Sequence, residues 1–394
     1  MLLMTSYAIF PERIFTPQRE LRDAVVIVEG GRISAVGPRS EIAVPANAKR
    51  IEARGLTLVP GFVDVHVHGA GGHDVMEATP DALDAVAATL ARGGTTSFLA
   101  TTVTAAPGAL CGSAAGIANY AAAQSQSGAT AKPSAEILGI HFEGPFINAV
   151  RRGVHPAEWI AASSLALLAR MLDSTAGFAR ILTLAPEIPG GLDLMDAARK
   201  EGIVAALGHT DATYGQAMDA IAHGARHAAH VFNAMRPFSH RDTGVLGAVL
   251  TSSLVTAELI ADGVHVDEAA MKLLLNAKPG KVILVSDGTA ATGMPDGKYR
   301  LGNFDVQVTG GVVRNSEGKL AGSALTLDRA LRNIVALGVP LDEAVRMLTF
   351  YPAQLLGVES RKGIIAAGAD ADLVFLDSQL QISKVVTRGV GLES

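Results

Sequence analysis

Eight short, almost continuously apolar runs, at residues 58–68, 96–101, 137–143, 180–185, 204–209, 227–232, 256–261 and 282–287, alternate with longer segments of helical period. Runs of this kind are buried on both faces, which fits parallel strands joined by crossover helices. Helical stretches at 81–92, 161–172, 192–200, 214–223 and 267–276 fall between them. Eight such units predict a closed (β/α)8 TIM-like barrel, with an open doubly wound sheet as the architectural alternative. The alanine-rich stretch at 114–135 reads as a helix with a loose loop.

The two chain ends have a different texture. Residues 23–37, DAVVIVEGGRISAVG, hold two β-branched runs around Gly30 and Gly31, the pattern of a hairpin. Residues 363–377 and the ISKVVTRG that follows again give short strands around polar or glycine turns. The ends are therefore expected to share a sheet in a small β-sandwich domain, residues 1–57 with 350–394, beside a barrel at 58–349.

Composition narrows the chemistry. With 33 basic and 38 acidic side chains among 394 residues the net charge is −5, which argues against nucleic acid as a partner because phosphate neutralisation needs a basic excess. The single cysteine, Cys111, excludes a disulfide framework and a thiolate zinc cluster, so any transition metal must be held by some of the 11 histidines and by carboxylates. Mean hydropathy is +0.30, yet the long apolar stretch 244–262 is broken by Ser252, Ser253 and Glu258 and makes no membrane span. Residues 1–17 lack the pattern of a secretory signal, so a cytoplasmic location is expected.

Barrel active sites are built where strands end, and the polar residues of this chain gather there. In PGFVDVHVHGAGG the alternation of a strand puts Asp64, His66 and His68 on one face, from which two imidazoles can reach one metal, although a pair of satisfied polar residues gives the same pattern. GIHFEGPFI places His141 and Glu143 together; a buried carboxylate there needs a cation, a metal or several donors. ALGHTDA and AAHVFNAM each end a run on a histidine, His209 and His230, either of which alone reads equally as a core histidine. With Glu143 they make two imidazoles and a carboxylate, a set that leaves an open position in catalytic zinc sites. VILVSDGTAATG delivers Asp287 as a candidate general base or a plain turn carboxylate. His73, His223 and His227 show no evident partner.

These motifs, with GVHP, HVFNAMRPFSHR, IADGVHVD, LAGSALTLD and KGIIAAGADADLVFLD, run through nearly the whole chain. Together they resemble the amidohydrolase superfamily, and within it the branch that deacetylates phosphorylated amino sugars. The resemblance implies removal of the acetyl group from N-acetyl-D-glucosamine 6-phosphate. It implies Glu143, His209 and His230 as ligands of a principal divalent ion, zinc or iron, and Asp287 as catalytic acid and base. His155 is implied as an oxyanion donor, and His66 and His68 as ligands of a second ion. Val154, His155, Asn233, Ala234, Asp262, His265, Leu320, Ala321 and Gly322 fall on substrate-contacting segments. Arg241 matches an arginine that reaches the sugar phosphate of the neighbouring subunit, which implies a homodimer. The galactosamine epimer, another amidohydrolase reaction and a non-catalytic scaffold remain as alternatives.

Overall fold

The structure, a computed structural model, describes residues 5–126 and 132–393. Its centre is one sheet of eight parallel strands in chain order: Phe62–Val67, Thr95–Thr102, Glu136–Glu143, Ala179–Leu184, Val204–Leu207, Ala225–Ala228, Thr256–Leu259 and Val282–Leu284. The sheet closes on itself. Past the last strand, Val67 pairs in parallel with Gly288, the Asp287 N–H donates to the His66 carbonyl at 2.9 Å, and the His68 N–H donates to Gly288 at 2.7 Å. The barrel reading holds over the open sheet, and the closing seam lies at the end of the barrel where the histidines gather.

A helix follows every strand, from Pro80–Arg92 after the first to Leu327–Ala336 after the last. The first is typical of how sequence sets the boundaries. Thr79 caps it through Ala82 N–H, Pro80 takes the first turn where no amide hydrogen is needed, and Leu83, Val86, Ala87 and Leu90 form the buried stripe. The predicted helix-and-loop at 114–135 is the helix Pro107–Gln126, which begins earlier; residues 127–131 lie outside the described part.

Four of the runs differ from the sequence reading at their boundaries, for two identifiable reasons. The run at 58–68 is two strands: Lys49–Pro60 belongs to the outer sheet and Phe62–Val67 to the barrel. The chain changes sheets at Gly61, where a Cβ would collide with the Thr96 side chain. The runs at 204–209, 227–232 and 282–287 leave the sheet before their last residues, because His209, His230 and Asp287 adopt left-handed backbone conformations, with φ of 47°, 25° and 49°.

The chain ends share a sheet, as expected. Ile382–Val386, Leu373–Leu376, Lys49–Pro60, Ser6–Phe15, Ala24–Glu29 and Arg32–Pro38 pair in that order, with Glu20–Arg22 added to Ser6–Phe15. The predicted hairpin turns on Gly30 and Gly31, both at positive φ. A third sheet was not anticipated: Gly297–Leu301, Phe304–Thr309 and Val312–Asn315 form an antiparallel meander. Its Leu301, Val306, Val308 and Val313 pack on Val103, Ala291 and Ala321. The alternation in KYRL and FDVQVT around Gly302 and the Gly310–Gly311 pair was the available signal.

Barrel and outer sheet are joined by charge. Lys362 is fully buried, with Nζ 2.6 Å from Glu136, 3.0 Å from Asp370 and 2.6 Å from Asp372, while Arg361 meets Glu136 at 2.6 Å and Asp370 at 3.2 Å. Glu136 opens the third barrel strand, and the two aspartates precede the outer strand Leu373–Leu376. Burial pushes the Glu136 carboxyl up, but Lys362 and Arg361 outweigh it and bring it from 4.5 to about 2. Its contribution to stability is therefore complete above pH 4.5 and is lost as pH falls toward 2. Lys362→Met leaves three buried carboxylates facing each other and is expected to cost about 3–5 kcal/mol in urea unfolding at neutral pH. A cost below about 1 kcal/mol, the level of an exposed pair, would remove this cluster from the account of the joint.

Candidate active site

Five imidazoles converge on one carboxylate. The Nε2 atoms of His230, His209, His155, His66 and His68 stand 2.8, 3.0, 3.1, 3.4 and 3.4 Å from the oxygens of Glu143, which is itself buried at the end of the third barrel strand. His66 and His68 come from the first strand and the residue beyond it, so the alternation of a strand aims both inward. His209, His230 and Asp287 arrive by their left-handed turns, a conformation costly for residues other than glycine and concentrated at functional sites.

Second partners fix which ring nitrogen is free. A backbone carbonyl can only accept, so His209 Nδ1, 2.9 Å from the Arg151 carbonyl, and His68 Nδ1, 3.0 Å from the Thr101 carbonyl, carry their protons there. His66 Nδ1 lies 2.8 Å from the Glu258 carboxylate and donates to it. All three rings therefore present an unprotonated Nε2 when neutral, the form that ligates a metal. His155 is the opposite case. The Thr104 amide N–H, an obligate donor, points at its Nδ1 at 3.3 Å, and the Thr104 hydroxyl lies 2.8 Å away. Its Nδ1 must accept, so its Nε2 carries the hydrogen and faces the cavity as a donor.

The donor set fits divalent cations. His209 and His230 bring their Nε2 atoms within 3.2 Å of each other beside the same Glu143 oxygen, an arrangement of two imidazoles and one carboxylate suited to a single ion. His66 Nε2 is buried without a hydrogen bond, between Glu143 at 3.4 Å and Asp287 at 3.7 Å. With His68 and Glu143 it forms a second group of ligating atoms. Glu143, His155 and His209 are also close enough for a third grouping, but the protonated Nε2 of His155 removes it.

The electrostatics point the same way. Burial would raise the Glu143 carboxyl, yet the imidazoles of His155, His66 and His209 hold it well below the usual range. Burial opposes charge on His66, but Glu258 and Glu143 raise it well above its ordinary value. A field that holds a proton on His66 also favours a metal cation. Burial would likewise raise Asp287, but the nearby His68, 3.3 Å away, and the charge of His66 keep it low.

A cavity of about 220 Å³ opens above these groups, lined by His68, Glu143, His155, His209, His230 and Asp287. Val154, Asn233, Ala234, His265, Leu320 and Gly322 complete the part anticipated from sequence. The remaining residues are placed otherwise. His66 lies behind the lining; Asp262 holds His265, Oδ2 to Nδ1 at 2.7 Å, rather than lining the cavity itself. Ala321 is buried under the meander. Arg241 sits on the exposed turn Ser239–Asp242, away from its own chain's cavity.

Several contributors escaped the sequence reading. Val103 and Leu301 line the cavity, and Thr104 sets His155. Glu258 looked like an interruption in an apolar run, although a lone acid in a buried strand was itself the signal. His227 does have a partner: its Nε2 lies 2.8 Å from Glu258. His73 and His223 also pair, with Glu77 at 3.1 Å and Asp196 at 3.0 Å, on the surface. His141 packs edge-on against His66, donates to the Val65 carbonyl, and is held near 3, chiefly by burial.

Known proteins share this architecture. The amidohydrolase family profile matches residues 57–391. An N-acetylglucosamine-6-phosphate deacetylase of Bacillus subtilis (strain 168) is 36% identical over 385 residues, covering 95% of this chain and 94% of that protein. An N-acetylgalactosamine-6-phosphate deacetylase of Escherichia coli O157:H7 is 37% identical over 378 residues, covering 96% and 97%. A mutant N-acetyl-D-glucosamine-6-phosphate deacetylase of Mycobacterium smegmatis, solved in complex with N-acetyl-D-glucosamine-6-phosphate, superposes with a TM-score of 0.90 at 37% identity over 98% of each chain. The described residues contain no helix long and apolar enough to cross a membrane.

Because Glu143 is common to both groups of ligating atoms, Glu143→Gln is expected to lower the divalent metal found by elemental analysis of purified protein. Unchanged stoichiometry would move the ligand role to other side chains.

Proposed function

The chain belongs to the amidohydrolase family, and from that premise we propose that it hydrolyses N-acetyl-D-glucosamine 6-phosphate to D-glucosamine 6-phosphate and acetate. The observation that carries the reading is the convergence on Glu143: neutral imidazole ligands on one side and an N–H donor, His155, on the other, with an ionised Asp287 opposite.

Glu143, His209 and His230 would hold a principal divalent ion, zinc or iron, and His66 and His68 with Glu143 a second. Such an ion supplies Lewis acidity, polarising the amide carbonyl and making water a better nucleophile at neutral pH. The protein's own groups do the rest. Asp287 Oδ1, 3.3 Å from His68 Nε2, accepts the proton of the attacking water and returns it to the departing nitrogen. His155 Nε2–H donates to the carbonyl oxygen as charge develops on it, and Thr104 keeps that hydrogen in place without reorganisation. His265, oriented by Asp262, the Asn233–Ala234 backbone, Val154, Leu320 and Gly322 shape the sugar site, with Ala321 packed beneath the meander beside it. Arg241, exposed on its turn, would clasp the 6-phosphate bound to a neighbouring subunit in a homodimer, where a guanidinium fork suits phosphate. Location in the cytoplasm completes the reading, as does the division into 1–57 with 350–394 and 58–349, with the first boundary moved to Gly61, where the chain changes sheets.

The galactosamine epimer is kept as the second substrate, because a relative named for it is as similar as those named for the glucosamine compound. Acetate release from a panel of N-acetylated hexosamines, each with and without the 6-phosphate, decides between them. The glucosamine 6-phosphate compound is expected to give the highest kcat/KM, and no turnover of any phosphorylated member overturns the reading. Asp287→Asn should retain metal while kcat falls about 10²–10⁴-fold, the usual scale for a lost general acid–base. Near-normal turnover in Asp287→Asn would assign the proton transfer elsewhere. Arg241→Ala should raise KM for the phosphorylated sugar on the order of tenfold, as loss of a charge-assisted hydrogen bond does. An unaltered KM in that variant would end the phosphate-clasp assignment.

A further inference from the structure

Glu258 lies in the seventh barrel strand, fully buried, and every hydrogen bond to its carboxylate comes from a histidine: His66, His230 or His227. Its Oε2 takes two hydrogen bonds, from His66 Nδ1 at 2.8 Å and from the His230 backbone N–H at 2.8 Å. Its Oε1 takes a third, from His227 Nε2 at 2.8 Å. One oxygen thus grips a side chain of the first strand and the backbone of the loop that carries His230, two elements on different sides of the ring.

We propose that Glu258 is a positioning residue that makes His66 a metal ligand: it fixes the ring with Nε2 toward Glu143 and ties that orientation to the left-handed turn presenting His230. The inference rests on the divalent-metal part of the proposed function. Three features carry it. A ring bonded through Nδ1 to an anion is a stronger electron donor at Nε2 than one bonded to a neutral acceptor, and His66 alone among the ligating histidines has that partner; His68 and His209 lean on backbone carbonyls. His66 Nε2 is a buried polar atom with no hydrogen bond, so the orientation Glu258 imposes leaves a lone pair facing the site. Finally, a buried anion needs compensation, and among the described residues no lysine or arginine bonds to Glu258, so its charge is met through its histidines alone, where a metal across His66 adds to the offset.

His66, His141 and Glu258 could alternatively be read as ligands of a separate ion deeper in the barrel. The hydrogen bonds oppose this. His141 spends Nδ1 on the Val65 carbonyl at 2.9 Å and Nε2 on the Thr183 hydroxyl at 2.7 Å, so neither nitrogen is free.

Glu258→Gln tests the charge with little change of shape. The amide oxygen can still accept from His66 and His230, and its NH2 can face His227, whose Nε2 then accepts while its Nδ1–H donates to Thr256. Zinc binding is measured by competition with a chromophoric chelator on wild type, Glu258→Gln and His66→Ala, with thermal melting by circular dichroism alongside. The folded Glu258→Gln protein is expected to bind the ion that His66→Ala loses about 10- to 100-fold more weakly than wild type. Wild-type zinc affinity in folded Glu258→Gln, or no zinc lost in His66→Ala, overturns the proposal. A zinc-loaded crystal structure of the wild type needs no variant. It should show His66 ligating through Nε2 with Nδ1 on Glu258, and ligation by Nδ1 or by Glu258 itself overturns the proposal. None of these measurements uses substrate, so a failure of the deacetylase reading appears separately, as absence of acetate release.

Discussion

A carboxylate buried without compensation is among the most expensive groups a protein can hold, and Glu143 is placed at the centre of the barrel's open end with five imidazoles turned toward it. Much of the site follows from meeting that demand. Rings that are to ligate must be neutral, oriented and close, and three of them, His66, His68 and His209, are pinned from behind by a carboxylate or a carbonyl. One ring must instead donate, and a backbone amide, which cannot accept, sets it that way. The same carboxylate that needs cations also makes the pocket selective for them.

The barrel seam ties this chemistry to the fold. Asp287 closes the ring through its own N–H to His66, and its carbonyl accepts from Ser323 N–H at 2.7 Å. Gly322, at φ 59°, lies so close that a Cβ there would come within 2.9 Å of the Asp287 carbonyl. The side chain assigned to proton transfer is therefore held by the backbone bonds that complete the barrel. Its orientation is fixed before substrate arrives, which is where electrostatic catalysis gains most. At the opposite end of the third strand, Lys362 and its carboxylates bind the outer sheet to the strand that ends on Glu143. One strand thus carries the structural ion cluster at its start and the imidazole–carboxylate cluster of the candidate site at its end.

Legibility varied with the kind of constraint. The eight units were readable because a parallel strand buried on both faces must be apolar along its length. Glu143, His209, His230 and Asp287 stood out as charges at the ends of such runs. The meander at 297–315 was missed because its strands are half-exposed and follow a run that already completed the barrel count. Glu258 and His227 were missed for a subtler reason: each looks like a defect in an apolar run, and only their mutual 2.8 Å contact makes sense of both. Thr104 carries no sequence signal at all, since its role depends on the direction of a backbone N–H.

The sequence by itself determined the periodicity, hence the barrel, and the residue types able to do metal and proton chemistry, because both depend on local pattern and side-chain identity. Only the tertiary structure decided which nitrogen of each ring is free, which histidine donates rather than ligates, and which buried acid holds which base. Those choices are made by hydrogen bonds between residues as far apart in the chain as His66 and Glu258. A distance of that kind has no expression in local pattern, and it exists only once the ring of strands has closed.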